Sequence, residues 1–154
     1  MGEKEVKEDK IVNEVSADID LIFESILFSG HVEKEFNVSK GFKVKLKPLE
    51  TGEILTAEAI DIANVYNMPM DIIQRARKVS ILSYATVSIN GSLSKKDDLT
   101  EDQNRNRRKV IHKKYLELPP TIIDKMFDFY IEVVNAQGDL YKDVDTLGDK
   151  SENF

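Results

Sequence analysis

The run RNRRKVIHKK at 105–114 holds the densest group of reactive or ligand-binding side chains in the chain. Arg105, Arg107, Arg108 and Lys109, followed by Lys113 and Lys114, form a basic island in a protein of net charge −6. Cations packed this closely take phosphate or carboxylate oxygens as partners. Glu101 and Asp102 precede the island on the same expected helix, and no aromatic residue interleaves with it before Tyr115. A stacking platform for single-stranded nucleic acid is therefore missing. An acidic protein neighbour, or a solvated helix face, ranks ahead of nucleic acid as the reading of this run.

Other chemistry is sparse. The histidines number two, His31 and His112, and cysteine is absent, which disfavours a zinc or iron site and excludes disulfides and thiolate chemistry. DVDTLG at 143–148 begins like a calcium loop, but Leu147 occupies its fifth position and Phe154 its twelfth, where oxygen ligands are needed. No glycine-rich phosphate loop or nucleophile motif occurs, and the carboxylates fall on solvated faces. The expectation is a protein with no catalytic, metal-ligating or cofactor-binding residues, acting without a cofactor and not as an enzyme.

The elements that carry these residues follow from periodicity. The central stretch runs from Met70 to Gly91. Pro69 opens it, Asp71 complements the positive end of the helix dipole, and Ile72, Ile73, Ala76, Val79, Ser80, Ser83 and Val87 form a helical stripe. From Val79 onward Ile81, Leu82, Ala85 and Ile89 make it apolar all round, which predicts a buried helix stopped by Asn90-Gly91. Residues 86–93, TVSINGSL, also fit a short hairpin around Asn-Gly. Before this stretch, Phe42, Val44 and Leu46 alternate with Lys43, Lys45 and Lys47, a strand with one wet face. With Val32, Phe36 and Val38 facing the same side and a Ser39-Lys40-Gly41 loop, they predict a hairpin that sets Glu35 opposite Lys45 and Glu33 opposite Lys47. Lys34 is its one inward misfit, and Pro48 ends it.

Thr51 or Thr56 is the expected cap of a helix running to about Tyr66. Thr100 to Gln103 is a capping-box pattern at the start of the basic helix, which Pro119-Pro120 breaks. Ile122, Ile123, Met126, Phe127, Tyr130, Val133 and Val134 share one face of a last helix, ending at Gln137-Gly138. Near the N-terminus, Val15, Ile19, Ile22, Phe23, Ile26 and Leu27 lie on one face of an amphipathic helix over 11–29, closed by Ser29-Gly30. That helix either packs on its own core or docks on another chain. The fold expected is α+β: a mainly helical domain of about five helices with one antiparallel β-hairpin. Its organisation is a disordered charged arm (1–10), one globular domain (11–137) and an acidic, loose tail (138–154). The 41% hydrophobic and 32% charged residues describe a soluble globular protein. MGEKEVKEDK is too acidic for a signal peptide, and the longest apolar run, interrupted by Glu24, is too short for a membrane span.

The segment FKVKLKPLETGE at 42–53 resembles a pattern found in bacteriophage tail morphogenesis proteins, the tail assembly chaperones and small baseplate-hub proteins. That pattern joins an alternating strand, a basic residue, Pro-Leu and a Thr/Gly/Glu helix start. An arginine-containing helix follows, ending in a phrase like Val87-Ser88-Ile89-Asn90-Gly91, then a charged connector and two helices leading through Tyr130 to an acidic tail. The likeness covers most of residues 40–137 and leaves the N-terminal helix unmatched. It implies a non-enzymatic protein of phage tail or baseplate assembly, working in the host cytoplasm or retained in the virion tail. Other tail or baseplate proteins, or further copies of this chain, are its implied partners. Val15, Ile19, Ile22, Phe23, Ile26, Leu27, Arg105, Arg107, Arg108 and Lys109 are the candidate partner-binding residues. The competing reading is a small cytoplasmic regulator binding nucleic acid through helix 105–114.

Overall fold

The computed structural model describes residues 15–20 and 32–152, apart from the side chains of 59–64 and 141–152. The chain divides into two compact units, Met1–His31 and Val32–Phe154. In the first, residues 15–20 are helical (α1). The charged arm 1–10, Ile22, Phe23, Ile26, Leu27 and the Ser29-Gly30 stop lie outside the described residues.

The second unit is α+β and mainly helical, as the periodicities predict. Its elements run β1 (Lys34–Ser39), β2 (Phe42–Leu46), α2 (Thr51–Val65), α3 (Met70–Ala85), β3 (Thr86–Ile89), β4 (Ser92–Leu93), α4 (Glu101–Leu116) and α5 (Pro120–Glu152). The sheet is antiparallel throughout, in the order β1-β2-β3-β4. The expected hairpin is its first half. Glu35 pairs with Lys45 and Phe36 with Val44, while a register shift after Asn37 brings Ser39 opposite Phe42. Gly41, at φ +80°, takes the left-handed position that the shift requires. Lys47 forms its ion pair with Glu53 at 3.5 Å, so the charge expected to face Glu33 is directed to α2 instead.

The central helix is shorter than its stripe suggested. It stops at Ala85, and the chain enters β3 without a loop. Thr86, Val87 and Ile89 are β-branched and lose rotamer freedom in a helix. Here they add a strand beside β2, with Val44 opposite Ile89 and Lys45 opposite Ser88. Asn90 (φ 49°) and Gly91 (φ +82°) are both left-handed, the requirement of a two-residue turn between twisted strands. Asn90 locks that turn to the first hairpin, its Oδ1 accepting from Lys43 N at 2.8 Å and its Nδ2 donating to Gly41 O at 2.9 Å.

Helix ends follow local chemistry. Glu50, rather than Thr51 or Thr56, caps α2 through a capping box with Glu53. Thr100 and Gln103 form the expected box on α4, at 3.2 and 2.9 Å. Gly138 does not end α5, which continues to Glu152, so the acidic segment expected to be loose is helical. A glycine in a helix costs about 1 kcal/mol relative to alanine, and only a left-handed cap turns that cost into a stop. Gly41 and Gly91 alone among the described glycines have positive φ.

The core lies between one face of the sheet and α3, α4 and α5. Val38, Val44, Leu46, Val79, Leu82, Ala85, Tyr115, Ile123, Met126, Tyr130 and Val133 are all buried within it. Phe36 stacks on Phe129 at 4.4 Å between centroids, and Lys125 Nζ donates to Val38 O at 2.8 Å, fixing α5 across β1. The first turns of α3 stay wet: Met70 is exposed, and so is Ile72, although it begins the apolar stripe.

Candidate binding cavity

One face of α4 carries Glu101, Asn104, Arg105, Arg108, Lys109 and His112, spaced by three and four residues, so all six project to one side of the helix. They line a cavity of about 500 Å³. Across from them stand Ser80, Ser83 and Tyr84 of α3, with Thr56 of α2 and Ser94 and Lys95 of the connection after β4. The serines of α3 permit this opening. Ser80 and Ser83 are buried, and larger side chains at the same positions would fill the space. Ser83 Oγ donates to Ser80 O at 2.8 Å, and Ser80 Oγ lies 3.4 Å from His112 Nε2.

The electrostatics of the cavity oppose those of the chain. Among the described residues of the lining, four cations, Lys95, Arg105, Arg108 and Lys109, face one carboxylate, Glu101. Arg105 pairs with Asp102 at 3.5 Å. No carboxylate among the described residues lies within 4.0 Å of Lys95, Arg108 or Lys109. Arg108 is held by an aromatic face, its guanidinium carbon 4.2 Å from the centroid of Tyr84. The base of α4 is a separate buried network. Thr86 Oγ1 donates to Leu82 O at 2.7 Å and therefore accepts from the Tyr115 hydroxyl at 2.6 Å. Burial pushes the Tyr115 phenol up to about 12.

The basic island is thus divided. Arg105, Arg108 and Lys109 are gathered at the cavity. Arg107 leaves it and donates to the carbonyl of Leu93 on β4, while its buried Nε has no hydrogen-bond partner among the described residues. Lys114 turns to Glu117 at 3.9 Å. Val15 and Ile19 of α1 are exposed, at 52% and 45%. The cavity's second wall was missed at the sequence level, where Ser80 and Ser83 read as members of the helical stripe. The signal available was their three-residue spacing, matched by the spacing of Arg105, Arg108 and His112. Among the described residues no group of three or more histidine and carboxylate side chains is placed to hold a metal ion. No described helix is long and apolar enough to cross a membrane. Compared with family models, characterised proteins and solved structures, the chain matches none.

Proposed function

We propose that this chain is a non-enzymatic protein of bacteriophage tail or baseplate morphogenesis. It acts by binding other tail components, as an assembly chaperone or as a small hub subunit. The observation that carries the reading is the placement of the two phrases on which the family resemblance rests. Residues 42–53 supply β2, the Pro48-Leu49 corner and the capped start of α2, and residues 87–91 supply β3 and its turn. The two are adjacent antiparallel strands, with Val44 opposite Ile89. A pattern scattered along the sequence thus corresponds to one contiguous piece of structure.

The surface supports an interaction role. Tyr66, Met68 and Met70, around the turn between α2 and α3, are 68%, 50% and 66% exposed, and Leu55 on α2 is 62% exposed. Exposed apolar groups concentrated in this way mark sites of association. Val15 and Ile19 of α1 add a second such surface in the other unit. On this reading the protein works in the host cytoplasm, with retention in the virion tail as the structural-subunit variant.

Affinity capture of the tagged chain from infected cells tests the proposal. Tail or baseplate proteins are expected to co-purify and to survive a salt wash. Deletion of residues 1–29 is expected to reduce that capture while the purified remainder keeps its thermal melt. Nucleic acid as the sole co-purifying species, eluting steeply with salt, would instead favour a regulator that uses α4. Collapse of the melt on deletion would place the first helix in the core.

A further inference from the structure

We infer that the cavity between α3 and α4 is a recognition site for an acidic peptide segment of a protein partner. The inference rests on the interaction role proposed above and gives the partner's chemistry. Lys95, Arg108 and Lys109 have no carboxylate partner among the described residues, in a chain whose net charge is −6. Net repulsion of acidic ligands by the rest of the surface makes this cavity the place where they are held. A volume of about 500 Å³ falls within the range of ordinary ligand pockets.

Three features favour a peptide over a nucleic acid. Among the described residues Tyr84 is the single aromatic side chain of the lining, and the guanidinium of Arg108 already stands over its ring at 4.2 Å, leaving that face closed to a base. Glu101 sits in the same wall, where it opposes a continuous phosphate backbone yet accepts readily from a peptide N–H. The Ser94 hydroxyl can both donate and accept, while Ser83 Oγ, its proton held by Ser80 O, keeps accepting capacity, matching a main chain that presents both kinds of group. Phosphate oxygens, at neutral pH, mainly accept. Carboxylate side chains of the segment would meet Arg108 in a two-point contact and Lys95 and Lys109 as point charges.

Fluorescence anisotropy with the full-length chain and a labelled Glu/Asp-rich peptide tests this directly. Inorganic pyrophosphate, poly(dT) and the unlabelled peptide serve as competitors. Saturable, salt-sensitive binding is expected, weakened about tenfold or more by Arg108→Gln with Lys109→Gln as two partly exposed charge contacts are removed. The exposed Lys95→Glu provides a second variant with no buried contact to disturb, and it is expected to weaken binding while the thermal melt is retained. Absence of saturable binding overturns the assignment, as does peptide affinity unchanged in both variants. Displacement by pyrophosphate or poly(dT) at lower concentration than by unlabelled peptide overturns it in favour of a phosphate ligand. Peptide binding is measured on the purified chain, so its failure is distinct from failure to capture tail proteins in cells.

Discussion

Leu82→Asp is expected to abolish the cooperative melt of the 32–154 unit. Leu82 has no exposed surface and lies in the cluster shared by the sheet, α3 and α5. Truncating such a residue already costs about 2–5 kcal/mol in lost transfer energy and cavity formation. An aspartate there must in addition bury its charge or take up a proton, and either route adds several kcal/mol. Total stabilities of single domains are about 5–15 kcal/mol, so the sum consumes most or all of what is available. Circular dichroism should show no sigmoidal transition, and the protein should enter the insoluble fraction. Leu82→Met, which conserves volume, should melt cooperatively with a loss below about 1.5 kcal/mol. A soluble, cooperatively melting Leu82→Asp protein would mean that the core is centred elsewhere.

The second large effect is a loss of stability in alkali. Tyr115 donates its phenolic proton to Thr86 Oγ1 and is 2% exposed, and burial raises its pKa from 10.0 to about 12. Because the folded pKa lies above the unfolded one, the contribution is whole below pH 10, declines between pH 10 and 12, and is gone above that window. A shift of about two units corresponds to about 3 kcal/mol. Tyr130 is raised in the same direction by burial, with the Leu49 backbone bond opposing and Glu53 reinforcing, so its loss falls on the alkaline side as well. Denaturant titrations at pH 9 and pH 12, compared with Tyr115→Phe, isolate the effect from lysine titration. The wild type should lose about 3 kcal/mol more than the variant over that interval. Equal losses would show that the phenol is not buried as a neutral donor.

Local signals predicted much of this architecture, and long-range pairing supplied the rest. The β1–β2 hairpin was readable because three signals agree there: period-two alternation, a glycine at the turn, and opposite charges at Glu35 and Lys45. The inward face of α5 was readable for the same reason, with Ile123, Met126, Tyr130 and Val133 at helical spacing and buried. Thr86 to Ile89 was ambiguous because its residues continue the helical stripe of α3 while favouring a strand. What decides between the two is β2, some forty residues earlier in the chain, which offers an open edge for β3 to pair with. No window around residues 86–89 contains that edge. The end of α5 failed as a local signal because Gly138 only weakens a helix unless its backbone turns left-handed.

The cavity shows the same division. Its cations were evident from composition, and their spacing set Arg105, Arg108, Lys109 and His112 on one face. Their destination was not, since it depends on how closely α3 approaches α4. Arg107 makes the point most clearly: one residue before Arg108 in the island, it lies on a different face and is spent on the Leu93 carbonyl. A residue count would give it the role that its neighbours have. The α1 face remains an expectation over Ile22, Phe23, Ile26 and Leu27, which lie outside the described residues.

The tail-assembly reading is tested most directly by the particles made by a phage whose copy of this reading frame is disrupted. Electron microscopy of the lysate should show filled heads with tails absent or incomplete, and supplying the wild-type chain in trans should restore tailed, infectious particles. Normally tailed particles at undiminished yield from the disrupted phage would contradict it.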